Sequence, residues 1–558
     1  MKKTILFLLA IMSLTIAAHT QSRTQGRSMV VTRGGIVATE SPLASQAGAM
    51  ILAQGGNAID AAVAANAVVG VVEPMMNGMG GDLFVIYYEA KTGKLYGLNA
   101  SGWAPAKLSV EFLHGKGEDK MPQHGINSVT VPGVVDGWSK LLSRFGNKKF
   151  PEVLAPAIHY AKDGFPVPEL DAEYWSEAAI WKLNADPNAA ATFRPGGNAP
   201  KLGEIFRNPD LARSLQLVAE GGRDAYYKGD IASRIVATST RLGGTMSAED
   251  LADFSSEWVE PISTIYRDWT VYEIPPNGQG IAALEMLNIM ETFPLKQFQN
   301  TADAPHVMIE AKKLAYADMY RYVADQKFSS VPVAGMLSKE YAAQRAKLID
   351  MAKANCDVGP GNPEFSTKGD TMYLSVVDGE GNMVSLIQSN YSGFGSGVVA
   401  DGTGFVLHNR GGLFSLDSTS PNALAGRKRP LHTIIPAFAQ KGDTRVAFGI
   451  MGGWNQSQAH AQFIANIVDF KMNIQAALEA PRFSKQTFAG CDVGMENRFS
   501  QNVRNELTAK GHKIELKGTF SSFAGGGQAV LRDFAAGVNY GASDPRKDGQ
   551  AVPELPLE

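Results

Sequence analysis

This sequence has little cysteine and no excess of basic over acidic residues. Only Cys356 and Cys491 occur among 558 residues, which excludes a disulfide-rich scaffold and argues against a cysteine-based metal centre. The two could form one bridge in an oxidising compartment, or both could be buried free thiols. Lys and Arg number 52 against 55 Asp and Glu, a net charge of −3. Because nucleic-acid binding needs a basic excess or a basic stripe, we expect no nucleic-acid partner.

Long apolar runs are also missing, apart from a short one at the amino terminus. Lys2 and Lys3 precede an apolar run over residues 5–18, and a polar stretch begins at His19. The run is shorter than the roughly 20 residues that a spanning helix needs, and its flanks are typical of a signal peptide. An uncleaved anchor is the alternative. We therefore predict a signal peptide over residues 1–20 and a periplasmic or secreted mature protein that does not contact the membrane.

Repeats and low-complexity segments are absent as well, and 44% of the residues are hydrophobic. Apolar residues recur at helical spacing over residues 45–72, where Gly55 and Gly56 interrupt the pattern and Asn57 would cap a second helix. A β-rich run over 83–88 and a partner over 95–98 predict a hairpin. Because helices and strands come in separate runs, the chain is expected to form α+β layers rather than a repeating βαβ unit.

A polar loop followed by another predicted hairpin marks the middle of the chain. Residues 355–369 are rich in Gly and Pro, and Asp370 and Thr371 follow them directly. Strands over 372–377 and 383–388 should then pair across a turn. A chain cut before Thr371 would keep its core, and a Thr at a chain start brings its own base, since an α-amine has a pKa of about 7.7–8.0. From spacing alone, however, Thr371 is simply a residue that opens a strand.

Short motifs in one order along almost the whole mature chain resemble the gamma-glutamyltranspeptidase family, also called glutathione hydrolases. Their shared order, rather than any single motif, makes the resemblance specific. The motifs lie at residues 55–64, 73–74, 78–82, 104–106, 131–137, 154–158, 275–280, 428–430, 452–453, 480–482 and 540–546.

The resemblance implies an N-terminal nucleophile hydrolase, whose fold is a four-layer αββα sandwich. It also implies that the precursor cleaves itself between Asp370 and Thr371. The products would be a large subunit, residues 21–370, and a small subunit, residues 371–558, which stay together as one composite domain. Thr371 would be the catalytic nucleophile. Since such an enzyme uses its own α-amine as base, we expect no cofactor and no metal.

Three further residues take catalytic roles through the resemblance. Gly452 and Gly453 follow a predicted strand over 445–449 and correspond to the pair that helps to form the family's oxyanion hole, where backbone N–H groups stabilise developing negative charge. Ser389 stands where the family usually has a second Thr that hydrogen-bonds the nucleophile. A tight turn at the Gly pair and a solvent-facing serine are the alternatives.

The residues that hold glutamate in the family are replaced here. No Arg occurs over residues 99–103, where the carboxylate-binding Arg is expected, and Leu413 stands where the family has the Asp that binds the α-amine. Arg410 offers a planar fork suited to a carboxylate, although it could instead pair with a structural one. The pattern is similar to the branch with cephalosporin acylases and oxamate amidohydrolase. The residues predicted to bind substrate are Arg410, Tyr391, His432 and Thr433.

Three hypotheses follow. The first is an exported, self-processing threonine amidase that cleaves γ-glutamyl amides such as glutathione, by hydrolysis or by transfer to an amine acceptor. The second is an acylase for a non-glutamyl dicarboxylic amide, which the lost anchors favour. The third is a periplasmic binding protein that uses the same cleft without chemistry. In the first two, the partners are a small-molecule amide and the other subunit of the same precursor, and the short segment 415–428, a reduced lid, favours hydrolysis.

Overall fold

Two seven-stranded antiparallel sheets form the centre of the computed structural model, which describes residues 25–363 and 374–556. Strands are numbered in chain order. Sheet 1 contains, in spatial order, β19 (Gln550–Pro553), β2 (Ile36–Thr39), β10 (Ser375–Val377), β11 (Met383–Ser389), β3 (Asp82–Glu89), β4 (Lys94–Ala100) and β7 (Glu257–Val259). Sheet 2 contains β1 (Val30–Thr32), β18 (Val538–Ser543), β17 (Gly527–Asp533), β13 (Thr444–Ile450), β12 (Ala437–Lys441), β9 (Trp269–Glu273) and β8 (Ile262–Tyr266).

Two small sheets lie outside this centre. One consists of β14 (Phe483–Ser484), β15 (Asp492–Met495) and β16 (Lys513–Leu516), and the other of β5 (Phe165–Pro166) and β6 (Ile205–Phe206). Both still contribute to the cores: Phe165 and Phe206 lie in the first core, and Phe483 and Val493 lie in the second.

Helices cover both outer faces of the paired sheets. No helix in the described part of the chain is long and apolar enough to cross a membrane. The α-helices are α1 (Pro42–Ala53), α2 (Ala58–Val72), α3 (Val110–His114), α4 (Val134–Phe145), α5 (Phe150–Asp163), α6 (Glu169–Leu183), α7 (Pro187–Phe193), α8 (Pro209–Tyr227), α9 (Asp230–Arg241), α10 (Ala248–Ala252), α11 (Gly280–Glu291), α12 (Asp303–Tyr322), α13 (Val333–Leu337), α14 (Lys339–Ala346), α15 (Gln456–Val468), α16 (Ile474–Glu479) and α17 (Gln501–Ala509).

The alternation of side chains along β3 explains the four layers. Leu83 and Val85 lie in a core with the helices that cover sheet 1, among them α1, α2 and α4. Phe84 and Ile86 lie in a second core, with the strands of sheet 2 and with α11, α12 and α15. Successive side chains of a strand point to opposite faces, so this strand is apolar throughout because both of its faces are buried. The predicted α+β class and αββα sandwich are confirmed.

The predicted helix, turn and second helix near the amino terminus are present as α1 and α2. Asn57 accepts hydrogen bonds from the backbone N–H groups of Ile59 and Asp60, and Asp60 in return accepts one from Asn57. This reciprocal capping box satisfies N–H groups that have no partner within the helix. Both predicted hairpins are found too, as β3 with β4 and β10 with β11.

Strands from before and after residue 371 pair with each other within both large sheets. In sheet 1, β2 lies between β19 and β10, and β3 pairs with β11. In sheet 2, β1 pairs with β18 and β9 pairs with β12. The predicted signal peptide, Asp370 and Thr371 lie outside the described residues. Because all of the strands named above begin and end on one side of position 371, a cut there would not interrupt any of them.

The two cysteines form a disulfide, with their Cα atoms 4.9 Å apart. Cys356 is exposed, whereas Cys491 is buried. Of the two possibilities that the sequence leaves open, the structure therefore shows the bridge, and the alternative of two buried free thiols is wrong.

Candidate active site

Two neighbouring strands of sheet 1 bring Ser389 beside Asp82. Ser389 ends β11 and pairs directly with Asp82, which begins β3. The Ser389 Oγ atom accepts a hydrogen bond of 2.7 Å from the backbone N–H of Tyr391. Ser389 is half-buried, whereas Asp82 is completely buried. The strand end therefore offers one accessible hydroxyl next to one enclosed carboxylate.

Asp82 organises three of the surrounding side chains. Its Oδ2 atom lies 3.0 Å from His408 Nδ1, 2.9 Å from Arg410 Nε and 2.8 Å from His432 Nε2. Burial alone would raise the pKa of Asp82, but the two histidines hold that pKa well below its usual range. Burial, reinforced by the charge of Arg410, lowers the pKa of His432 to about 3. The carboxylate is therefore ionised near neutral pH, and His432 is neutral.

Arg410 is fully buried and only partly satisfied. Its Nη1 atom donates to Thr433 Oγ1 at 2.8 Å, while Nη2 has no hydrogen-bond partner within the described ranges. The ring centre of Tyr391 lies 4.6 Å from the guanidinium carbon, a cation–π contact. Because an unpaired buried donor is costly, the free edge of this guanidinium is the best-defined place in the site for an anionic ligand.

The turn that contains Tyr391 has a strained backbone and is fixed by hydrogen bonds from Lys182. Tyr391 has φ of +76°, which a non-glycine residue rarely adopts. Lys182, near the end of α6, donates to Ser392 Oγ at 2.6 Å and to the carbonyls of Gly393 and Gly395. Burial lowers the pKa of Lys182 to about 8. Strain of this kind persists where surrounding contacts fix it, and Lys182 supplies those contacts.

The Gly452–Gly453 pair is connected to Thr433 through Gln279. Their φ values are +123° and +61°, and Gly453 begins a 3-10 helix that continues into α15. Among the described residues, no group accepts a hydrogen bond from either backbone N–H. Gln279 Nε2 donates to the carbonyl oxygens of both Gly453, at 2.8 Å, and Thr433. The pair is thus fixed relative to Arg410 and keeps its N–H groups free at a helix start, where an anion is favoured.

The structure brings together the predicted site residues that it describes. A connected set of contacts runs from Ser389 through Asp82, Arg410 and Thr433 to the Gly pair. Sequence reasoning missed Asp82, Gln279 and Lys182 as members of this network. Asp82 did carry a signal, because it is a charged residue that opens an otherwise apolar strand directly after Gly80–Gly81. Gln279 lies within the motif at 275–280, but only the folded chain shows which groups it contacts. Lys182 carried no signal in the sequence.

Comparisons with known proteins agree with this geometry. The family model described as gamma-glutamyltranspeptidase matches residues 44–554. The chain belongs to the gamma-glutamyltranspeptidase family. It is similar to the glutathione hydrolase-like YwrD proenzyme of Bacillus subtilis (strain 168), with 38% identity over 91% of this chain and 96% of that protein.

Other relatives in the gamma-glutamyltranspeptidase family carry different names. The oxamate amidohydrolase proenzyme of Klebsiella pneumoniae is 35% identical over 94% of this chain and 99% of its own length. The crystal structure of cephalosporin acylase from Bacillus halodurans superimposes with a TM-score of 0.89, at 42% identity and with coverage of 97% and 99%. The chain is therefore an enzyme of this family, with an N-terminal nucleophile hydrolase fold.

The segment that lacks the family's expected Arg lies at the site. The backbone N–H of Gly102 donates to Asp82 Oδ1 at 3.0 Å, so residues 99–103 border the buried carboxylate but bring no positive charge to it. Arg410 supplies the cation from another direction. The side chain of Leu413 has no charge to offer an ammonium group, although its carbonyl accepts a hydrogen bond from Asn422.

Among the described residues, one group of side chains could together bind a metal ion, and none of them belongs to the site described above. It consists of His306, Glu310 and His512. Lys313 donates to Glu310 Oε1 at 2.7 Å, and burial together with the charge of Lys313 lowers the pKa of His512 to about 3. Because a lysine already supplies the positive charge, a second cation would be repelled. We assign these residues a structural role.

The Asp82 network predicts a large loss of stability in Asp82→Asn. The amide cannot balance the buried Arg410 charge, and breaking one partner of a buried ion pair costs about 3–5 kcal/mol. We expect the free energy of unfolding in urea to fall by that amount. Asp443→Asn, at an exposed turn, is the matched control and should change it by less than about 0.5 kcal/mol. Equal values for the two variants would contradict the role given to Asp82.

Proposed function

We propose that this protein is an exported, self-processing threonine amidase that hydrolyses an amide of a dicarboxylic acid, with Thr371 as nucleophile. The observation that carries the proposal is the Nη2 atom of the buried Arg410 guanidinium, which has no hydrogen-bond partner among the described residues. The same guanidinium contacts Asp82, Thr433 and Tyr391. A cation at that position suits an acyl group that ends in a carboxylate.

The pairing of β10 with β11 supports Thr371 as the nucleophile. Ser375 pairs with Ser385, and each step back along β10 advances one residue along β11. We propose that in the mature enzyme this pairing continues, which would bring Thr371 beside Ser389. Ser389 would then hydrogen-bond the Thr371 hydroxyl, the role that the family resemblance implies for it.

The proposed reaction uses only groups of the protein. The α-amine of Thr371 takes the proton of its own hydroxyl, and Oγ attacks the carbonyl carbon of the substrate. The N–H groups of Gly452 and Gly453 donate to the oxyanion that forms, an interaction worth about 3–4 kcal/mol per donor. The C–N bond breaks as the amine leaves with the proton. Water then attacks the acyl-threonine ester, which releases the acid and restores Thr371.

Self-cleavage between Asp370 and Thr371 would precede this reaction. Oγ of Thr371 attacks the carbonyl of Asp370, and the C–N bond breaks, which converts the peptide bond to an ester and frees the α-amine. Water then hydrolyses the ester, which releases the Asp370 carboxylate and restores the Thr371 hydroxyl. Residues 21–370 and 371–558 would then be the large and small subunits. The pairing of their strands within both sheets supports continued association, since five strand pairs would join the two chains.

The two amidase hypotheses differ in the acyl group of the substrate. Both γ-glutamyl and glutaryl groups carry a carboxylate that Arg410 could bind. A γ-glutamyl group also carries an ammonium, and Leu413 cannot neutralise it. Asp82 is already engaged by Arg410, His408 and His432. Because an unpaired buried charge costs several kcal/mol, a glutaryl-type amide fits this site better than glutathione, the first substrate suggested by the family.

A panel of anilides tests this proposal. We expect the processed enzyme to cleave glutaryl-p-nitroanilide with a kcat/KM at least about tenfold above that for γ-glutamyl-p-nitroanilide, which is about 1.4 kcal/mol. Butyryl-p-nitroanilide, which has no carboxylate, should be the poorest. Efficient cleavage of the γ-glutamyl compound, with saturation at micromolar concentration, would restore the glutathione hypothesis.

Transfer and simple binding are the remaining alternatives. The short segment 415–428 supports hydrolysis, and adding glycylglycine should therefore leave most of the glutaryl product as free acid. A binding protein would have no use for a Thr at a cleaved chain start or for two free N–H groups at Gly452 and Gly453. An uncut chain that binds the anilides without cleaving them would favour that class instead.

Export is supported by two observations. The amino-terminal pattern is that of a signal peptide, and the chain holds a disulfide, a bond that persists in oxidising compartments. We therefore place the enzyme in the periplasm or outside the cell, after removal of residues 1–20.

A further inference from the structure

The disulfide connects the two sides of the proposed cleavage point. Cys356 lies before the Asp370–Thr371 junction and Cys491 lies after it, with a sequence separation of 135. We propose that this bond is the covalent link between the large and small subunits of the mature enzyme. The inference rests on the proposed function, because two chains exist only if the precursor is cleaved.

The bridge is built into a prepared site on α12. Glu310 Oε2 accepts a hydrogen bond of 3.2 Å from the backbone N–H of Asn355, and Lys313 Nζ donates to the Asn355 carbonyl at 2.8 Å. Lys313 Nζ also lies 3.6 Å from Cys491 Sγ. The residue before one cysteine and the sulfur of the other are therefore held by side chains one helical turn apart, which lowers the entropy cost of bringing the thiols together.

A second contact draws the two cysteine loops together. The backbone N–H of Gly490 donates to the carbonyl of Cys356 at 3.1 Å. The residues that follow Cys356 are held by the large subunit instead. Arg345 Nη2 donates to the Gly359 carbonyl at 2.9 Å, and Tyr322 donates to that of Gly361 at 2.7 Å. The tail of the large subunit would thus stay anchored on both sides of the bridge after cleavage.

No other bond can take this role within one molecule. The sequence contains only two cysteines, so an intact Cys356–Cys491 bridge accounts for all disulfide chemistry. Its formation removes two protons and two electrons from the thiols. We propose that a disulfide-bonded protein in the same compartment accepts them by thiol–disulfide exchange and is itself reduced to a dithiol. A dithiol such as dithiothreitol would return them.

The disulfide and the shared sheets connect the two subunits in different ways. The shared strands hold the native subunits together without any covalent bond, so reduction should not separate the folded enzyme. The bridge matters once the chains unfold, because linked subunits can find each other again as one molecule. Cys356 is exposed, which gives a reductant access to one side of the bond.

Gel electrophoresis under denaturing conditions tests the inference directly. Purified enzyme is treated with iodoacetamide to block free thiols and is run with and without dithiothreitol. We expect one covalent species without reductant and two fragments with it. Cys356→Ser and Cys491→Ser should each give two fragments under both conditions, while remaining a single complex in native gel filtration.

Two different results would contradict different claims. Two fragments without reductant, with both cysteines alkylated, would overturn the covalent link but leave the proposed self-cleavage intact. A single chain under both conditions would overturn the cleavage and the link that depends on it. The alkylation count by mass spectrometry still reports whether the cysteines are paired.

Refolding gives a second readout. After unfolding in urea, the bridged enzyme should recover the same fraction of activity when diluted about tenfold further, since its reassembly is intramolecular. The Cys356→Ser enzyme should recover less on dilution, because two separate chains must meet. The same dependence on dilution in both proteins would argue against the bridge.

Discussion

Replacing Thr371 with Ala is expected to abolish both cleavage of the chain and amidase activity. The hydroxyl would be the nucleophile in both reactions, and no other group can form the ester. We expect activity towards glutaryl-p-nitroanilide to fall by at least about 10³-fold, in line with the loss of other catalytic nucleophiles. Denaturing gels under reducing conditions should show one uncut chain.

Two variants separate this role from a general effect of substitution. Thr371→Ser keeps a hydroxyl and should still be cleaved, with reduced activity. Thr367→Ala removes a nearby threonine of the same polar loop and should be cleaved and active like the wild type. A processed, active Thr371→Ala enzyme would overturn the assignment of the nucleophile.

Changing Arg410 to Lys is expected to weaken recognition of the acyl carboxylate selectively. Lysine keeps a positive charge for Asp82, but it lacks the second guanidinium nitrogen that is unpaired in this site. Losing the hydrogen-bonded contact between Arg410 and the substrate carboxylate should cost about 2 kcal/mol or more, as for other buried charge pairs. We therefore expect kcat/KM for glutaryl-p-nitroanilide to fall by about 30-fold or more.

A neutral substrate distinguishes binding from structural damage. Cleavage of butyryl-p-nitroanilide, which makes no ion pair, should change by less than about threefold. Arg427→Lys, at a partly exposed arginine within segment 415–428, is the matched control and should leave both substrates unaffected. An equal loss for the glutaryl and butyryl compounds would show that Arg410 only supports the fold.

Local features of the fold were accessible from the sequence. The Asn57 cap follows from a polar residue placed before an apolar helical run, and its hydrogen bonds involve neighbours in the chain. The hairpin of β3 and β4 follows from two β-rich runs and a short turn. The α+β class followed from the separate runs of helices and strands. The four-layer sandwich came from the family motifs, because periodicity alone does not show that strands from both ends of the chain pair in each sheet.

The environment of Arg410 could be predicted only in part. The sequence left two interpretations, a substrate carboxylate or a structural partner. The structure shows a structural partner at Nε, namely Asp82, and no partner for Nη2 among the residues that it describes. Asp82 and Arg410 are 328 residues apart in sequence, so no local pattern reports their contact. The pairing of Cys356 with Cys491 was open for the same reason.

The departures from the family's glutamate anchors have a common physical meaning. In this chain Asp82 neutralises a buried arginine, Arg410, on one side. Leu413, which stands where the resemblance places the amine-binding Asp, brings no charge. The sequence retains the Gly452–Gly453 pair, which we propose as the oxyanion donors, and a hydroxyl at Ser389. We infer that the catalytic chemistry of the family is kept while the acyl group that it accepts has changed.

The measurement that tests this account most directly is the intact mass of the purified mature protein under denaturing and reducing conditions. Reduction is needed because the disulfide would otherwise keep the fragments together. The account predicts two polypeptides, the smaller of which begins at Thr371. A single polypeptide that runs through residue 371 would contradict the proposed mechanism and would favour a binding protein that uses the same cleft.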